Sequence, residues 1–309
     1  MEYKHIFGPV PSRRLGLSLG VSPIPDSNCN YSCIYCQLGR TRNMTNNRKE
    51  YFPIEEIIKE FKEFLKSNKK FDVVSLVGEG EPTLYSELGN LIIELKKLTE
   101  KPVVVITNGS LLFLEEVRDA LFNADILLPS MDAFDEESFK KINRPYGKLK
   151  YEEVRKGLEL FSENFKGELW LEIMLMKDIN DSKETIGKYK ELLKTINYDR
   201  LYINTPVRPP AEEEIGEIDK ETMAYAVEEL GGISIDLLSS QGFYSDIKDH
   251  KEAIKSIIKR HPMNQMELFS FMAGRGLSTS ETELLIEDLK EDKEITLKEY
   301  KGYITFRLK

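Results

Sequence analysis

The stretch Cys29-Asn30-Tyr31-Ser32-Cys33-Ile34-Tyr35-Cys36 contains all three cysteines of this 309-residue chain. Thiolate sulfur is a soft ligand that selects iron–sulfur clusters, zinc or copper(I). Three thiolates from one loop can each bind a different iron of a cubane [4Fe–4S] cluster, and the fourth iron then finds no further protein thiol. An iron with an open coordination position can bind a substrate or cosubstrate. The spacing therefore predicts that Cys29, Cys33 and Cys36 are metal ligands.

A zinc site, a disulfide and a ferredoxin cluster each fit the three cysteines less well. A structural zinc site needs four ligands, usually from paired CxxC elements, and the chain has no second pair and no histidine nearer upstream than His5. A disulfide with one leftover thiol suits a secreted protein, but residues 1–20 show no apolar signal core. Ferredoxins have two residues in both early gaps and a fourth cysteine soon after.

The composition predicts a folded protein of a reducing compartment. Hydrophobic residues make up 40% and charged residues 31% of the chain, which is ordinary for a globular protein and unlike a disordered one. No stretch reaches the ~20 apolar residues that a membrane helix requires. We expect a cytoplasmic location and no membrane partner.

Strand and helix patterns alternate after the cysteine loop. The predicted strands lie at 16–22, 71–77, 102–107, 125–130, 168–176 and 199–204. The predicted helices lie at 53–66, 86–98, 111–122, 151–164, 182–195 and 219–230. Six βα units in succession predict an α/β fold with a parallel sheet.

The strand at 71–77 leads into Gly78-Glu79-Gly80-Glu81-Pro82-Thr83. A turn that glycine permits exposes backbone carbonyls, and here they stand beside a carboxylate. Carbonyl and carboxylate oxygens are the acceptors that an ammonium group needs. An ordinary strand-to-helix turn is the alternative interpretation of this segment taken alone.

The CxxxCxxC spacing, with Tyr35 just before the last cysteine, resembles the signature of radical S-adenosylmethionine (SAM) enzymes. Gly80-Glu81-Pro82 is similar to the GGEP motif of that family, with Glu79 where glycine is usual. The resemblance implies a [4Fe–4S] cluster whose open iron binds SAM through the amino and carboxylate groups of SAM. It further implies reductive cleavage of SAM to a 5′-deoxyadenosyl radical that abstracts a substrate hydrogen.

The same resemblance implies the fold and the roles of individual residues. The fold is an open partial (β/α)6 TIM-like barrel, and an electron donor of the flavodoxin or ferredoxin type is the expected partner. Tyr35 would pack on the adenine, and Gly80 and Glu81 would receive the ammonium of SAM.

Polar groups at strand ends complete the predicted site, because function in such barrels gathers at the C-terminal ends of the strands. We expect Ser130, Asp132 and Asn108 to hold the ribose or the carboxylate of SAM, with a turn or helix N-cap as the alternative for each. Three arginines are predicted substrate contacts because a guanidinium binds carboxylate or phosphate, although solvated charges are the simpler interpretation. They are Arg13, Arg14 and Arg208.

Three segments are similar to one subgroup, the archaeal and bacterial proteins grouped with wybutosine-synthesis radical SAM enzymes. They are the run from Phe7 to Gly16, Cys36-Gln37-Leu38-Gly39, and Asn204-Thr205-Pro206-Val207-Arg208-Pro209-Pro210. The resemblance covers residues 5–245. The enzymes that build the tricyclic base on tRNA carry further cysteines for a second cluster, and this chain has none left for one.

Residues 248–309 predict a small winged helix-turn-helix-like domain that follows a core at 1–247. Helices are expected at 251–260 and 264–272. Ser280 and Glu283 have the spacing of a capping box, which would open a helix ending near 290, and a hairpin is expected at 294–309.

The charge distribution argues against nucleic acid as the partner. Residues 251–309 contain 11 basic and 10 acidic residues, against 33 and 43 in residues 1–250. Because affinity for nucleic acid comes from phosphate neutralisation by strongly basic surfaces, recognition of a peptide or protein is favoured.

Three functions stay open: a radical SAM enzyme, with a peptide or protein as the expected substrate, a wybutosine-related enzyme that modifies tRNA, and an iron–sulfur redox sensor with a winged-helix output. The complete set of SAM-binding positions favours the first, because a sensor has no need of Glu81 or of the polar groups at the strand ends.

Overall fold

The computed structural model describes residues 3–235, 243, 245, 247–300 and 302–309. The strands are β1 Ile6–Ser12, β2 Gly16–Val21, β3 Asn28–Cys29, β4 Asn43–Met44, β5 Val73–Leu76, β6 Val103–Thr107, β7 Ile126–Pro129, β8 Glu168–Met174, β9 Arg200–Asn204, β10 Ile233–Ser234, β11 Met263–Asn264, β12 Ile295–Tyr300 and β13 Tyr303–Leu308. The α-helices are α1 Ile54–Leu65, α2 Leu88–Lys96, α3 Glu115–Leu121, α4 Glu136–Ser138, α5 Tyr151–Asn164, α6 Lys183–Leu193, α7 Lys220–Leu230, α8 His250–Ile258, α9 Gln265–Gly274 and α10 Thr279–Lys290. A 3₁₀ turn at Pro82–Leu84 and a π-helical turn at Phe139–Asn143 complete the elements.

The main sheet has the strand order β1-β2-β5-β6-β7-β8-β9-β10. All six strands predicted from the sequence are present, with ends that differ from the prediction by at most two residues. From β2 to β10 each strand runs parallel to its neighbour. Their carboxyl ends therefore meet at one edge of the sheet.

The prediction of a purely parallel sheet is wrong for the outermost strand, because β1 pairs antiparallel with β2. Only three residues separate the two strands, with Ser12 opposite Gly16. So short a connection can join antiparallel strands but not parallel ones, which need a crossover. The sheet is mixed for this reason.

The two faces of the sheet have different neighbours, as alternation along a strand requires. Val103 and Val105 belong to a large buried cluster that also takes in the apolar sides of the helices. Val104 points the other way and packs with Trp170 and Tyr202 in a smaller cluster. The helices thus cover one face of the sheet.

Residues from His250 onward form a compact unit with an apolar core of its own. Helices α8, α9 and α10 pack on a three-stranded sheet of order β11-β13-β12, which contains the predicted hairpin. The assignment as a winged helix stays a prediction. We call residues 248–309 the C-terminal unit.

The predicted capping box at Ser280 and Glu283 is wrong. The N-cap of α10 is Ser278, whose hydroxyl accepts a hydrogen bond from Glu281 N, while the Glu281 carboxylate accepts one from Ser278 N. The same spacing of serine and glutamate therefore occurs twice, and the earlier pair is the one that begins the helix. No helix within the described ranges is long and apolar enough to cross a membrane.

Candidate functional site

A cavity of about 600 Å³ lies at the carboxyl ends of the parallel strands, between the sheet and the C-terminal unit. Its lining includes all three cysteines, together with strand-end residues such as Glu172 and Asn204. Of the other predicted site residues, the lining also contains Tyr35, Gly80, Arg13, Arg14 and Arg208. The fold thus brings these eight sequence-predicted residues to one place.

The cysteine loop is held by backbone hydrogen bonds on both sides. Cys29 ends β3, which pairs with β4, and Cys29 O accepts a hydrogen bond from Thr45 N at 3.1 Å. Further along, Cys36 N donates to Cys33 O at 3.1 Å and Gly39 N donates to Cys36 O at 3.0 Å. These successive turns place the three side chains on the same cavity.

The thiols lie among groups that donate hydrogen bonds to sulfur. Asn143 Nδ2 lies 3.5 Å from Cys33 Sγ, and Asn108 Nδ2 lies 3.6 Å from Cys29 Sγ. Burial raises the pKa of Cys29 to about 12 and the pKa of Cys33 well above its usual value. The thiols therefore stay protonated until a metal displaces the protons.

The donor set fits an iron–sulfur cluster, because thiolate is the ligand such clusters select. Within the ranges the structure describes, no group of three or more His, Cys, Asp or Glu side chains forms a site for a single metal ion. In a cubane each cysteine binds a different iron, so the sulfurs need not converge. All three thiols are free of disulfides and partly buried, and amide donors to thiolate sulfur are a feature of such clusters.

Gly80 and Glu81 connect the sheet to the cysteine loop. A Cβ at position 80 would lie 1.8 Å from the carbonyl oxygen of Asn28, so only glycine fits. The Glu81 carboxylate is buried and accepts hydrogen bonds from Thr83 Oγ1 and Thr107 Oγ1, each at 2.6 Å, and from Asn108 N at 2.8 Å. Burial raises the pKa of Glu81, and these hydrogen bonds oppose that rise. Glu81 thus ties the ends of β5 and β6, and its predicted contact with SAM stays a prediction.

Tyr35 and Asp132 form a buried network beside Cys33. The Tyr35 hydroxyl donates to the Asp132 carboxylate, which also accepts from Met174 N at 3.1 Å and from Asn143 Nδ2 at 3.2 Å. Burial raises the pKa of Asp132 to about 6, against the lowering effect of these hydrogen bonds. The network fixes the aromatic ring that precedes the last cysteine.

The remaining predicted polar residues line a second, much smaller cavity. Asn108, Ser130 and Asp132 meet there in a space of about 30 Å³. Asn108 also donates to Asn30 Oδ1 at 2.8 Å, inside the cysteine loop. The backbone of Ser130 forms an isolated parallel β-bridge with Glu172 of β8. Their roles toward ribose or carboxylate stay predictions.

The predicted substrate arginines have protein partners in this structure. Arg14 donates to the Glu172 carboxylate. Arg208 links the sheet to the C-terminal unit, with Nε donating to Pro262 O at 2.8 Å and Nη2 lying 2.5 Å from His261 Nε2 and 3.2 Å from Glu267 Oε1. Burial lowers the pKa of His261 well below its usual value, with the Arg208 charge adding to the effect. The imidazole is therefore neutral and can accept from the guanidinium.

The C-terminal unit contributes to this cavity in a way that was not predicted from the sequence. Glu79 Oε1 lies 3.0 Å from Lys259 Nζ and 3.5 Å from Arg260 Nε, across the interface between the two parts of the chain. Glu79 and Arg260 are both more than nine-tenths buried. The substitution of glutamate for the usual glycine at position 79 was the available signal, but its partner lies 180 residues away.

Comparison with known proteins gives consistent results. The family model described as the radical SAM superfamily matches residues 24–189. A UPF0026 protein of Methanocaldococcus jannaschii is 36% identical over 310 residues, which cover 97% of this chain and 94% of that protein. A protein named GTPase Obg from Brachyspira hyodysenteriae is 43% identical over 226 residues, 73% of this chain, but the match spans only 33% of that protein's length.

The fold has a counterpart among solved structures. A radical SAM methyltransferase from Sphaerobacter thermophilus superposes with a TM-score of 0.50 and 16% identity, over 71% of this chain and 67% of that one. At this level of identity the likeness shows the α/β fold alone.

Proposed function

The chain belongs to the radical SAM superfamily of enzymes and to its UPF0026 members, and from this membership we propose that Cys29, Cys33 and Cys36 hold a [4Fe–4S] cluster at which SAM is cleaved. One observation carries the proposal: the only three thiols of the chain face a single cavity at the carboxyl ends of the strands. Held by these three thiolates, a reduced cluster would supply the electron for reductive cleavage of SAM and so the radical chemistry of the family.

The protein contributes binding and orientation to this chemistry. Amide hydrogen bonds from Asn143 and Asn108 to two of the sulfurs stabilise thiolates once the protons have left. Gly80 lets the strand-end turn approach the cysteine loop, and Glu81 holds that turn in place. We propose Tyr35 as the contact for the adenine and the Gly80–Glu81 turn as the contact for the ammonium of SAM.

Access and exclusion of water follow from the C-terminal unit. Lys259, Arg260 and Arg307 of this unit line the cavity, and the first two contact Glu79, which follows β5. These residues form part of the cavity wall and so restrict the access of water to a radical formed there. An electron donor of the flavodoxin or ferredoxin type is the proposed redox partner.

The proposal is tested by anaerobic reconstitution of the full chain with iron and sulfide, followed by SAM and dithionite. We expect 5′-deoxyadenosine and methionine from the wild type. Cys33→Ala should lose the visible absorbance of the cluster and both products, whereas Ser32→Ala, in the same loop, should keep them. The proposal would be contradicted if the purified protein contained zinc in place of iron. It would also be contradicted if addition of SAM left the electron paramagnetic resonance spectrum of the reduced cluster unchanged.

A further inference from the structure

We infer that the cavity takes a small anionic substrate, a molecule with phosphate or carboxylate groups, and that Arg307 of the C-terminal unit helps to hold it. The inference rests on the proposed function, because it names the substrate class of the same site.

The lining of the cavity is cationic in a chain that is acidic overall. Nine arginine and lysine side chains line it, against four carboxylates. The whole chain has 44 basic and 53 acidic residues, so this excess is local. The negative charge of a three-thiolate cluster and the positive charge of SAM offset each other, and the excess remains for another ligand. A concave site with one sign of charge concentrates ligands of the opposite sign.

Most of these cations are already paired. Arg14 pairs with Glu172, Arg42 with Asp26, Arg208 with Glu267, and Lys259 and Arg260 share Glu79. Arg40 pairs with Glu212, outside the cavity. In the part of the chain that the structure describes, Arg307 and Lys309 face the cavity without a carboxylate partner.

Arg307 is the better placed of the two. It lies on β13 and packs its guanidinium over Gly39, where a Cβ would come within 2.9 Å of Nη1. Its one hydrogen bond to a described residue is long, 3.5 Å from Nη1 to Gln37 O. A guanidinium has five N–H donors in a planar fork that matches phosphate and carboxylate. Most of that capacity is therefore available beside the cysteine loop.

The size of the cavity favours a small molecule over the peptide or protein expected from the sequence. A volume of about 600 Å³ is within the range of small-molecule sites. SAM must share this space, and the C-terminal unit forms one wall of it. An extended nucleic acid would need an open basic surface, which the net charge of −9 does not favour.

The test is equilibrium binding of two probes, inorganic phosphate and succinate, to the cluster-reconstituted full chain by calorimetry at constant ionic strength. We expect saturable binding of at least one probe, and the stronger of the two identifies the anionic group. Arg307→Gln should weaken that binding about tenfold, the loss typical of one charge-assisted hydrogen bond. Arg307→Lys, which keeps the charge, should lose less.

Arg200→Gln is the matched control, because Arg200 begins β9 at the opposite edge of the sheet and should bind the probes as the wild type does. Circular dichroism establishes that each variant is folded. Absence of saturable binding to the wild type, equal binding by Arg307→Gln, or tighter Arg307-dependent binding of a single-stranded oligonucleotide would each overturn the inference. The titration needs no turnover, so absence of probe binding by protein that still cleaves SAM would overturn this inference alone. Absence of SAM cleavage by protein that still binds the probes would overturn the proposed function alone.

Discussion

At position 80 the absence of a side chain lets two motifs pack together that are about 50 residues apart in sequence. The backbone of Gly80 lies against the carbonyl oxygen of Asn28, directly before the first cysteine. Glu81 N then donates to the same oxygen at 3.0 Å. The glycine is therefore required by close approach of two backbone segments, whatever SAM requires of it.

We expect Gly80→Ala to destabilise the protein by about 3 kcal/mol, because the Cβ meets backbone that cannot move aside. Gly187→Ala is the control, since Gly187 lies inside α6 with nothing within 4 Å of its Cβ position, and it should stabilise by about 0.5–1 kcal/mol. Urea unfolding and iron content after reconstitution measure both effects. Equal stability of the two variants would show that the turn adapts to a side chain.

The residues of the site were partly predictable because ligand chemistry is local in sequence. The thiol spacing and the strand-end polar residues were legible from the chain alone. Their partners were not: Tyr35 donates to Asp132, almost a hundred residues away, and Glu81 is enclosed by Thr83, Thr107 and Asn108. Such pairings depend on strand order, which periodicity does not specify.

At the scale of elements, the start of α10 distinguishes two candidate caps that share one spacing. Ser278 and Glu281 form the capping box, whereas Ser280 lies inside the first turn. We expect Ser278→Ala to cost about 1 kcal/mol of local stability and Ser280→Ala to change it by less than about 0.5 kcal/mol. Amide hydrogen exchange of Thr279–Lys290 measures this directly. Faster exchange in Ser280→Ala, without faster exchange in Ser278→Ala, would show that Ser280 is the N-cap after all.

Hydrogen bonds of Glu212 also stabilise the cysteine loop. The Glu212 carboxylate accepts from Arg40 Nε at 2.9 Å and Arg40 Nη2 at 2.7 Å, and also from Arg144. Glu212 N donates to Ile34 O at 3.1 Å, inside the loop. The hydrogen bond from Arg40, followed by that from Arg144, lowers the pKa of Glu212 to about 2.

This pKa gives a pH dependence with a definite sign. A carboxyl group whose pKa is lower in the folded state stabilises the fold above its unfolded value, about 4.3, and the stabilisation is lost as pH falls toward 2. We expect Glu212→Gln to cost about 1–2 kcal/mol at neutral pH, with the difference from wild type shrinking below about pH 4. Urea unfolding over a pH series measures it. Glu116→Gln, which removes a 67%-exposed carboxylate paired with Arg48, should show little change at any pH.

At the scale of the whole molecule, the alternation of strand and helix patterns predicted the parallel arrangement of the strands. The apolar spacing in residues 248–309 predicted the three helices and the hairpin of the C-terminal unit. The antiparallel β1 escaped prediction because its Gly- and Pro-rich sequence lacks strand periodicity. The placement of the C-terminal unit over the strand ends escaped it for another reason. The interface there is formed by residues such as Arg208 and Glu79, whose partners lie 53 to 180 residues away.

The ion cluster of Glu79, Lys259 and Arg260 carries the last prediction. Removing one partner of a buried ion pair leaves the other charge uncompensated, which costs more than the pair itself contributes. We expect Glu79→Gln to weaken the packing of the C-terminal unit against the rest of the chain. Amide exchange of the two segments at this interface, 4–7 and 259–263, should then rise about tenfold. The unit should keep its own core, so exchange within α9 and β12 should not change.

Glu168→Gln is the control, because Glu168 lies at the amino end of β8, away from the carboxyl ends of the strands. Unchanged exchange in the facing segments would mean that the Arg208 contacts with Pro262 and Glu267 hold the unit without Glu79.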